Sequence, residues 1–362
     1  MGEVARRDVR LTDLLGVELP IVQAPMAGVQ DQELAIAVAL AGGLGSIPCA
    51  MLSPDAIRRQ VATFRERARK PVNLNFFCHG TPAPDPGRDA RWRELLGRYH
   101  AELGGDPATG AGGPARLPFD EATCAVVEEL RPEVVSFHFG LPPRGLLDRV
   151  RATGARVLSS ATTVAEARFL EDGGCDAVIA QGAEAGGHRG MFLATDVSGQ
   201  VGTLALVPQV VDAVRVPVIA TGGIADARGV AAAFALGAAG VQVGTAYLRC
   251  PEATTSALHR AALATAREDE TRIANVYTGR PARGLVNRFM RELGPLHEEV
   301  PAFPTAASAL APLRAKAEAR GSSDFSTLWA GQAAPLGREV GAGELTRRLV
   351  HEARRLLGDL AI

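Results

Sequence analysis

The 362-residue chain reads as α/β, a (β/α)8 TIM barrel with a small C-terminal lid domain. Three observations point there. Short apolar runs alternate with helical patterns eight times before residue 250, the rhythm of a parallel sheet wrapped by helices. Glycine-rich loops follow the seventh and eighth runs, at Gly222-Gly223 and at Gly244-Thr245, where barrels commonly hold a phosphate on backbone N–H groups. Past Cys250 the alternation stops. An open doubly wound sheet is the alternative, and the even strand count with its two late loops favours the barrel.

The elements follow in order. Residues 20–24 form the first strand, and residues 32–40 a helix that Gly42 and Gly43 stop. Residues 44–48 are the second strand. Ser53-Pro54-Asp55 opens the next helix with proline at its first position. Strand three is 71–77, and a helix over 118–130 leads to strand four at 134–137. Helix 143–152, strand 156–159, helix 163–172 and strand 177–181 continue the pattern. Helix 203–214, strand 216–220, helix 226–236 and strand 241–243 complete it. The barrel thus occupies 1–250, with a Gly-, Pro- and Asp-rich surface insertion at 78–117 that carries a helical middle near 90–103. Residues 251–335 are helical pieces with proline joints, a lid over the substrate. Residues 336–362 hold an amphipathic helix, 339–357, that packs on the barrel.

Composition narrows the function classes. A net charge of -1 gives no footprint for nucleic acid or an anionic membrane. No apolar run is long enough to span a bilayer, and residues 1–8 lack the apolar core of a signal peptide. Arg6 and Arg7 stand where a myristoylation motif on Gly2 wants Ser or Thr. Cys49, Cys78, Cys124, Cys175 and Cys250 are scattered without CxxC spacing. That pattern fits a reducing cytoplasm and neither a disulfide framework nor a zinc site. Nothing in the sequence sets the oligomeric state.

Chemistry concentrates at strand ends. The stretch Gln181-Gly-Ala-Glu-Ala-Gly-Gly-His-Arg-Gly190 leaves the sixth strand with one imidazole, His188, and one guanidinium, Arg189. It reads either as a solvated turn or as the catalytic loop of a barrel. Met26, after the first strand, is a soft side chain able to pack on a flat ring or fill core. Asn73 and Asn75 share one face of strand three, and buried amides need partners. Gln181 and Gln242 add two more amides above the glycine loops. Together they suggest a flat heterocycle with donors and acceptors on its rim, which describes FMN better than a sugar phosphate. His138, at the end of strand four, either joins His188 as a catalytic residue or is a hydrogen-bonded structural histidine. His79 falls near the pocket mouth. With no carboxylate at ligand spacing, these histidines do not form a metal site.

These motifs resemble the nitronate monooxygenases, formerly called 2-nitropropane dioxygenases. The likeness rests on Gln23-Ala-Pro-Met26, Asn73-Leu-Asn-Phe-Phe-Cys-His79, Val135-Ser-Phe-His-Phe-Gly140, residues 181–190, Gly222-Gly223 and Gln242-Val-Gly-Thr245. Phe325-Ser-Thr-Leu-Trp-Ala-Gly-Gln332 extends it toward the C-terminus. The resemblance implies an FMN-binding barrel with contacts at Ala24, Pro25, Met26, Asn75, Gln181, Gly186, Gly187, Gly222, Gly223, Gln242, Gly244 and Thr245. It implies catalysis by His188, with His79, Phe303 and Trp329 on the substrate and lid side. One departure stands out. In the closest class of that family, two tyrosines and a lysine close over the substrate. The corresponding stretch here is Pro301-Ala-Phe-Pro-Thr-Ala-Ala-Ser-Ala-Leu-Ala311, with Phe303 at the first tyrosine position and alanines at the other two.

The resemblance implies oxidation of a small-molecule nitronate by O2 to a carbonyl compound and nitrite. The rival is an FMN reductase using NAD(P)H on a quinone or an enoyl thioester, since FMN-dependent enoyl-ACP reductases share the barrel and the Gly-Gly-His loop. Barrels of the IMP-dehydrogenase type need a cysteine after strand six, and residues 182–203 contain none. A non-catalytic flavin carrier leaves His188 and the lid unexplained.

Overall fold

A computed structural model describes residues 10–105 and 116–359. The leader and myristoylation readings on residues 1–8, part of the 78–117 insertion and the last three residues of 336–362 lie outside the described residues. The strands, in chain order, are β1 (Ile21–Gln23), β2 (Gly45–Pro48), β3 (Val72–Phe77), β4 (Val134–His138), β5 (Arg156–Ala161), β6 (Ala177–Gln181), β7 (Gly187–His188), β8 (Val218–Thr221), β9 (Gly240–Val243), β10 (Thr271–Ala274) and β11 (Ala282–Leu285). Eight of them pair in parallel in the order β1-β9-β8-β6-β5-β4-β3-β2. A parallel bridge between Val22 and Leu44 joins the two ends and closes the barrel. The β7, β10 and β11 strands form a separate antiparallel sheet.

Strand alternation grades the barrel interior from apolar to polar. At the N-terminal end Val22, Leu44, Val134, Leu158, Ile179 and Ile219 meet in one cluster, plugged by Leu11 and Leu15 from a short helix, Arg10–Leu15, that the sequence did not announce. Two or four residues further toward the C-terminal ends, the inward residues become Ser136, His138, Ser160, Gln181 and Thr221, joined by Asn75 of β3 and Gln242 of β9. Residues between them, such as Leu74, Val135, Phe137, Val157, Val178 and Ala220, pack outward against the helices. Burying this polar layer is favourable only where partners satisfy it, so the sequence commits the C-terminal end of the barrel to a site.

Local signals account for most boundaries. Ser53 caps the helix Pro54–Arg67 by accepting from the Ala56 N–H. The helix expected over 118–130 begins only at Glu121. Asp120 accepts from Thr123 N–H at 2.9 Å while its own N–H donates to Thr123 Oγ1 at 2.9 Å, a reciprocal cap that fixes the start. Pro118 is instead bridged to Phe77 at the end of β3. The C-terminal helix, Ala342–Asp359, buries Leu345, Leu349, Val350 and Ala353 against the helices Gln32–Leu40 and Ala227–Ala235.

The insertion is exposed along one face and buried along another. Its helix, Pro86–Glu102, buries Trp92, Leu96 and Tyr99 in a second core with Tyr277, Phe289, Leu310, Leu313 and Phe325. Tyr99 meets Phe325 edge-on at 5.1 Å and Phe289 at 5.6 Å. The periodicity of the insertion helix was legible, but its apolar face has its partners far along the chain. The segment 251–335 also differs from a set of helical pieces, because β10 and β11 are strands within it.

Truncating Trp92, which has no exposure, removes the largest side chain of this second core. Trp92→Ala is expected to lower stability by about 3–5 kcal/mol, read as a drop in the urea midpoint. A change within error would place the insertion helix outside the folded unit.

Candidate active site

A cavity opens at the C-terminal ends of the barrel strands. Its wall includes Asn75, Ser136, His138, Ser160, Gln181, Thr221 and Gln242 from the strands, and His188, Trp329 and Gly331 from above. Ala24, Pro25, Met26, Gly186, Gly187, Gly222, Gly223, Gly244 and Thr245 line it too. All twelve residues expected to hold the cofactor therefore converge here, together with His188, His138 and Trp329. His79 and Phe303 do not reach the wall. They pack behind it, ring to ring at 4.7 Å, with Phe77 and Phe139, and Phe303 covers His188 at 5.3 Å.

The His188 backbone is held by strand pairing. His188 lies opposite Ala282 and Gly187 opposite Arg283 in the β7–β11 ladder. Next to it, the Arg189 N–H donates to Pro281 O at 2.8 Å. The Arg189 side chain, expected as a loop guanidinium, is fully buried and turned back to the barrel. It donates to Gln181 O at 2.8 Å, Gly182 O at 2.7 Å and Gln200 Oε1 at 2.8 Å. Gly186 is required by close approach: a Cβ there would lie 2.5 Å from Gly331 N.

Hydrogen bonds assign the imidazole protons. Thr278 donates to Arg280 O at 3.3 Å, so its hydroxyl oxygen accepts from His188 Nε2–H at 2.9 Å. Nδ1 is then the basic atom of His188. His138 Nε2–H donates to the His188 carbonyl at 3.2 Å, and its Nδ1 accepts from Ser160 at 3.1 Å. Gln181 completes the frame, donating to the same His188 carbonyl at 3.0 Å and accepting from Gly190 N–H at 2.7 Å. Both nitrogens of His138 are thus engaged by protein, and both ends of the Gln181 amide serve the loop.

Burial keeps the rings uncharged. Desolvation, then the positive charges of Arg116 and Arg280, hold the His188 pKa well below the ordinary imidazole value. Desolvation also lowers His138 to about 3 and His79 to about 4. His259, a further wall residue, is lowered to about 4, again chiefly by burial. Among the described residues no Asp or Glu lines the cavity.

One rim of the cavity suits a phosphate-bearing planar ligand. Gly222 and Gly223 have φ of 115° and 70°, backbone that a side chain would strain. A Cβ on Gly244 would press Ala24 at 3.3 Å, so the glycines keep backbone N–H groups open to a close-fitting group. Gln242 Oε1 is buried without a hydrogen-bond partner, the kind of orphan that a ligand's rim donor satisfies. Met26 is positioned beside it by Gln30, whose Oε1 accepts from Met26 N–H at 2.8 Å and from Gln23 Nε2 at 2.7 Å.

The family model for nitronate monooxygenase matches residues 8–352. The chain belongs to the nitronate monooxygenase family. A nitronate monooxygenase from Pseudomonas aeruginosa is 44% identical, over 95% of this chain and 99% of that relative. Nitroalkane oxidase from Streptomyces ansochromogenes superposes with a TM-score of 0.88 at 39% identity, covering 97% of this chain and all of the other. FabK from Thermotoga maritima matches with a TM-score of 0.73 and 29% identity, covering 99% of each chain. The protein is thus an oxidoreductase of a flavin-dependent family. Sequence reasoning missed Thr278, Arg280, His259 and Arg116 near the site, because none sits in a strand-end motif and each comes from the insertion or from beyond the barrel.

Histidines held neutral in the fold make stability acid-sensitive. The unfolded rings take up protons near pH 6.5, while native His79, His138 and His259 resist to about 4, 3 and 4. The unfolded state therefore binds more protons below pH 6.5, and stability falls as pH drops through that range toward 4. The urea midpoint is expected to be level from about pH 7 to 8 and to decline below about 6.5. A midpoint that rises on acidification contradicts neutral burial of the rings.

Proposed function

We propose that the protein is an FMN-dependent monooxygenase that oxidises an alkyl nitronate with O2 to a carbonyl compound and nitrite. Two nitronates and one O2 balance to two carbonyls and two nitrites. The observation that carries this reading is a neutral, buried His188 on the wall of a cavity that a glycine cradle also lines. FMN fits that rim: Gly222, Gly223, Gly244 and Thr245 would hold its phosphate, and Gln242 and Asn75 the edge of its ring. When bound, FMN supplies the electron acceptor that O2 later restores.

The protein's own part is positioning and proton handling. Neutral His188 carries its proton on Nε2 toward Thr278 and keeps Nδ1 basic, so it can take the α-proton of a neutral nitroalkane. For a substrate already ionised to the nitronate, the ring orients and the surrounding arginine charges favour the anion. His138, expected beside His188 as a catalytic residue, acts as a positioning residue, since both its nitrogens are committed to holding the loop. Gln181 shares that task. Residues 251–335 act as a lid, with the insertion helix packed on it: Phe303 and Trp329 from this segment join Phe77 of β3 in keeping water from the site. The five free cysteines fit a cytoplasmic setting.

The apolar cover and the likeness to FabK favour a second reading, NAD(P)H-dependent reduction of a quinone or enoyl thioester. Anaerobic titration separates the two. A nitronate is expected to bleach the flavin and, on admitting O2, to yield nitrite, while NADPH leaves the spectrum unchanged. Rapid bleaching by NADPH with no nitrite from any nitronate establishes the reductase instead.

His188→Asn is expected to lower kcat/KM by about 100-fold or more with FMN content retained, measured by nitrite release and flavin absorbance. Loss of FMN with turnover per flavin intact would make the ring structural.

A further inference from the structure

The wall of the cavity carries one formal charge among the described residues, that of Arg116. Among the described residues no Asp or Glu lines the cavity and none forms an ion pair with Arg116. Arg116 is half-buried. Desolvation and neighbouring Arg314 lower its pKa to about 10, which leaves it charged at neutral pH. A charge kept in such a place without a counter-charge is costly unless a ligand supplies one.

Topology tells which ligand. Two residues after Arg116, Pro118 bridges Phe77, and Phe119 N–H donates to Phe77 O at 2.7 Å. Arg116 is therefore tied to the end of β3. In the closed eight-strand order β3 lies across the barrel from β8, which ends in the Gly222-Gly223 cradle. Arg116 is thus on the far side from the expected phosphate, and Phe77, at the strand end it is tied to, lies 6.2 Å ring to ring from His188, whose ring feels the Arg116 charge.

We propose that Arg116 is a specificity-determining residue that supplies the counter-charge for an anionic substrate beside His188. The inference rests on the nitronate reading and adds what selects the substrate. The tyrosine and lysine positions of the 301–311 stretch hold Phe303 and alanines here, and Arg116 approaches the cavity from a different part of the chain, the end of the insertion. The anionic group it meets is either the nitronate itself or a carboxylate on the substrate's tail.

The test uses the FMN-loaded enzyme and its Arg116→Met, Arg116→Gln and Arg116→Lys variants. Propyl-1-nitronate and propionate-3-nitronate are compared by nitrite release, and nitrate is titrated as an unreactive planar anion followed by the flavin difference spectrum. Loss of one charge-assisted contact predicts a KM and a nitrate dissociation constant raised ~10–100-fold in the Met and Gln variants, with the loss in KM rather than kcat. Flavin content stays at the wild-type level, and Lys regains most of the affinity. The wild-type KM should rise with ionic strength more steeply than that of the Gln variant, a difference that a packing role would not produce. Equal losses for both substrates identify the nitronate as the group read, and a loss confined to propionate-3-nitronate identifies the tail. Unchanged KM and nitrate binding in the Met and Gln variants overturn the proposal. If the wild type oxidises no nitronate, the functional reading fails, and the nitrate titration still decides whether Arg116 binds anions.

Discussion

The site depends on the buried guanidinium of Arg189. Its donors are spent on the carbonyls of Gln181 and Gly182, where β6 ends, and on Gln200. Carbonyls at a strand end that leave the ladder need such partners, and a single planar fork reaches both. Because Arg189 adjoins His188, folding the fork under the loop pushes the preceding residue toward the cavity. The β7–β11 ladder then pins it from the other side. Removing the fork would leave two carbonyls and the Gln200 amide oxygen without their donor, so the loop has little freedom to relax.

The charges that bear on the His188 ring are of one sign. Arg116 and Arg280 bear on His188, and the carboxylates near the loop are used elsewhere. Glu184 accepts from Thr203, and Glu166 from Thr162, Phe192 and Leu193. Arg280 itself lies over the Phe139 ring at 3.9 Å, where its charge is partly offset by the ring face. The result is a positively biased chamber around a neutral base. Such a chamber strengthens hydrogen bonds to a bound anion and leaves a cation without a partner.

Much of the barrel was legible because its signals are local. Each strand is an apolar run of a few residues bounded by turns or caps, and the polar residues at strand ends stand at period two from the core. That places Asn75, Gln181 and Gln242 on the inner face without reference to anything distant. What was not legible depends on pairing across the chain. β7 is two residues long and gains its register only from Ala282 and Arg283. The insertion helix has an ordinary amphipathic pattern, yet its burial is decided by Phe289 and Phe325. Arg116 sits just after a Gly- and Pro-rich stretch that says nothing of where the chain returns. Gln181 and His138 line the wall, but which of their atoms serve a ligand and which serve the loop is a matter of three-dimensional hydrogen bonding.

The second core has a consequence for how the chain comes off the ribosome. All eight barrel strands have emerged once β9 is made, and the barrel can close. Trp92 and Tyr99 were synthesised long before, in the excursion between β3 and β4, and their partners Phe289 and Phe325 emerge only later. During that interval the nascent protein carries a formed barrel with an exposed aromatic stripe on a helix. Chaperone demand should therefore peak after the barrel is complete rather than while it forms.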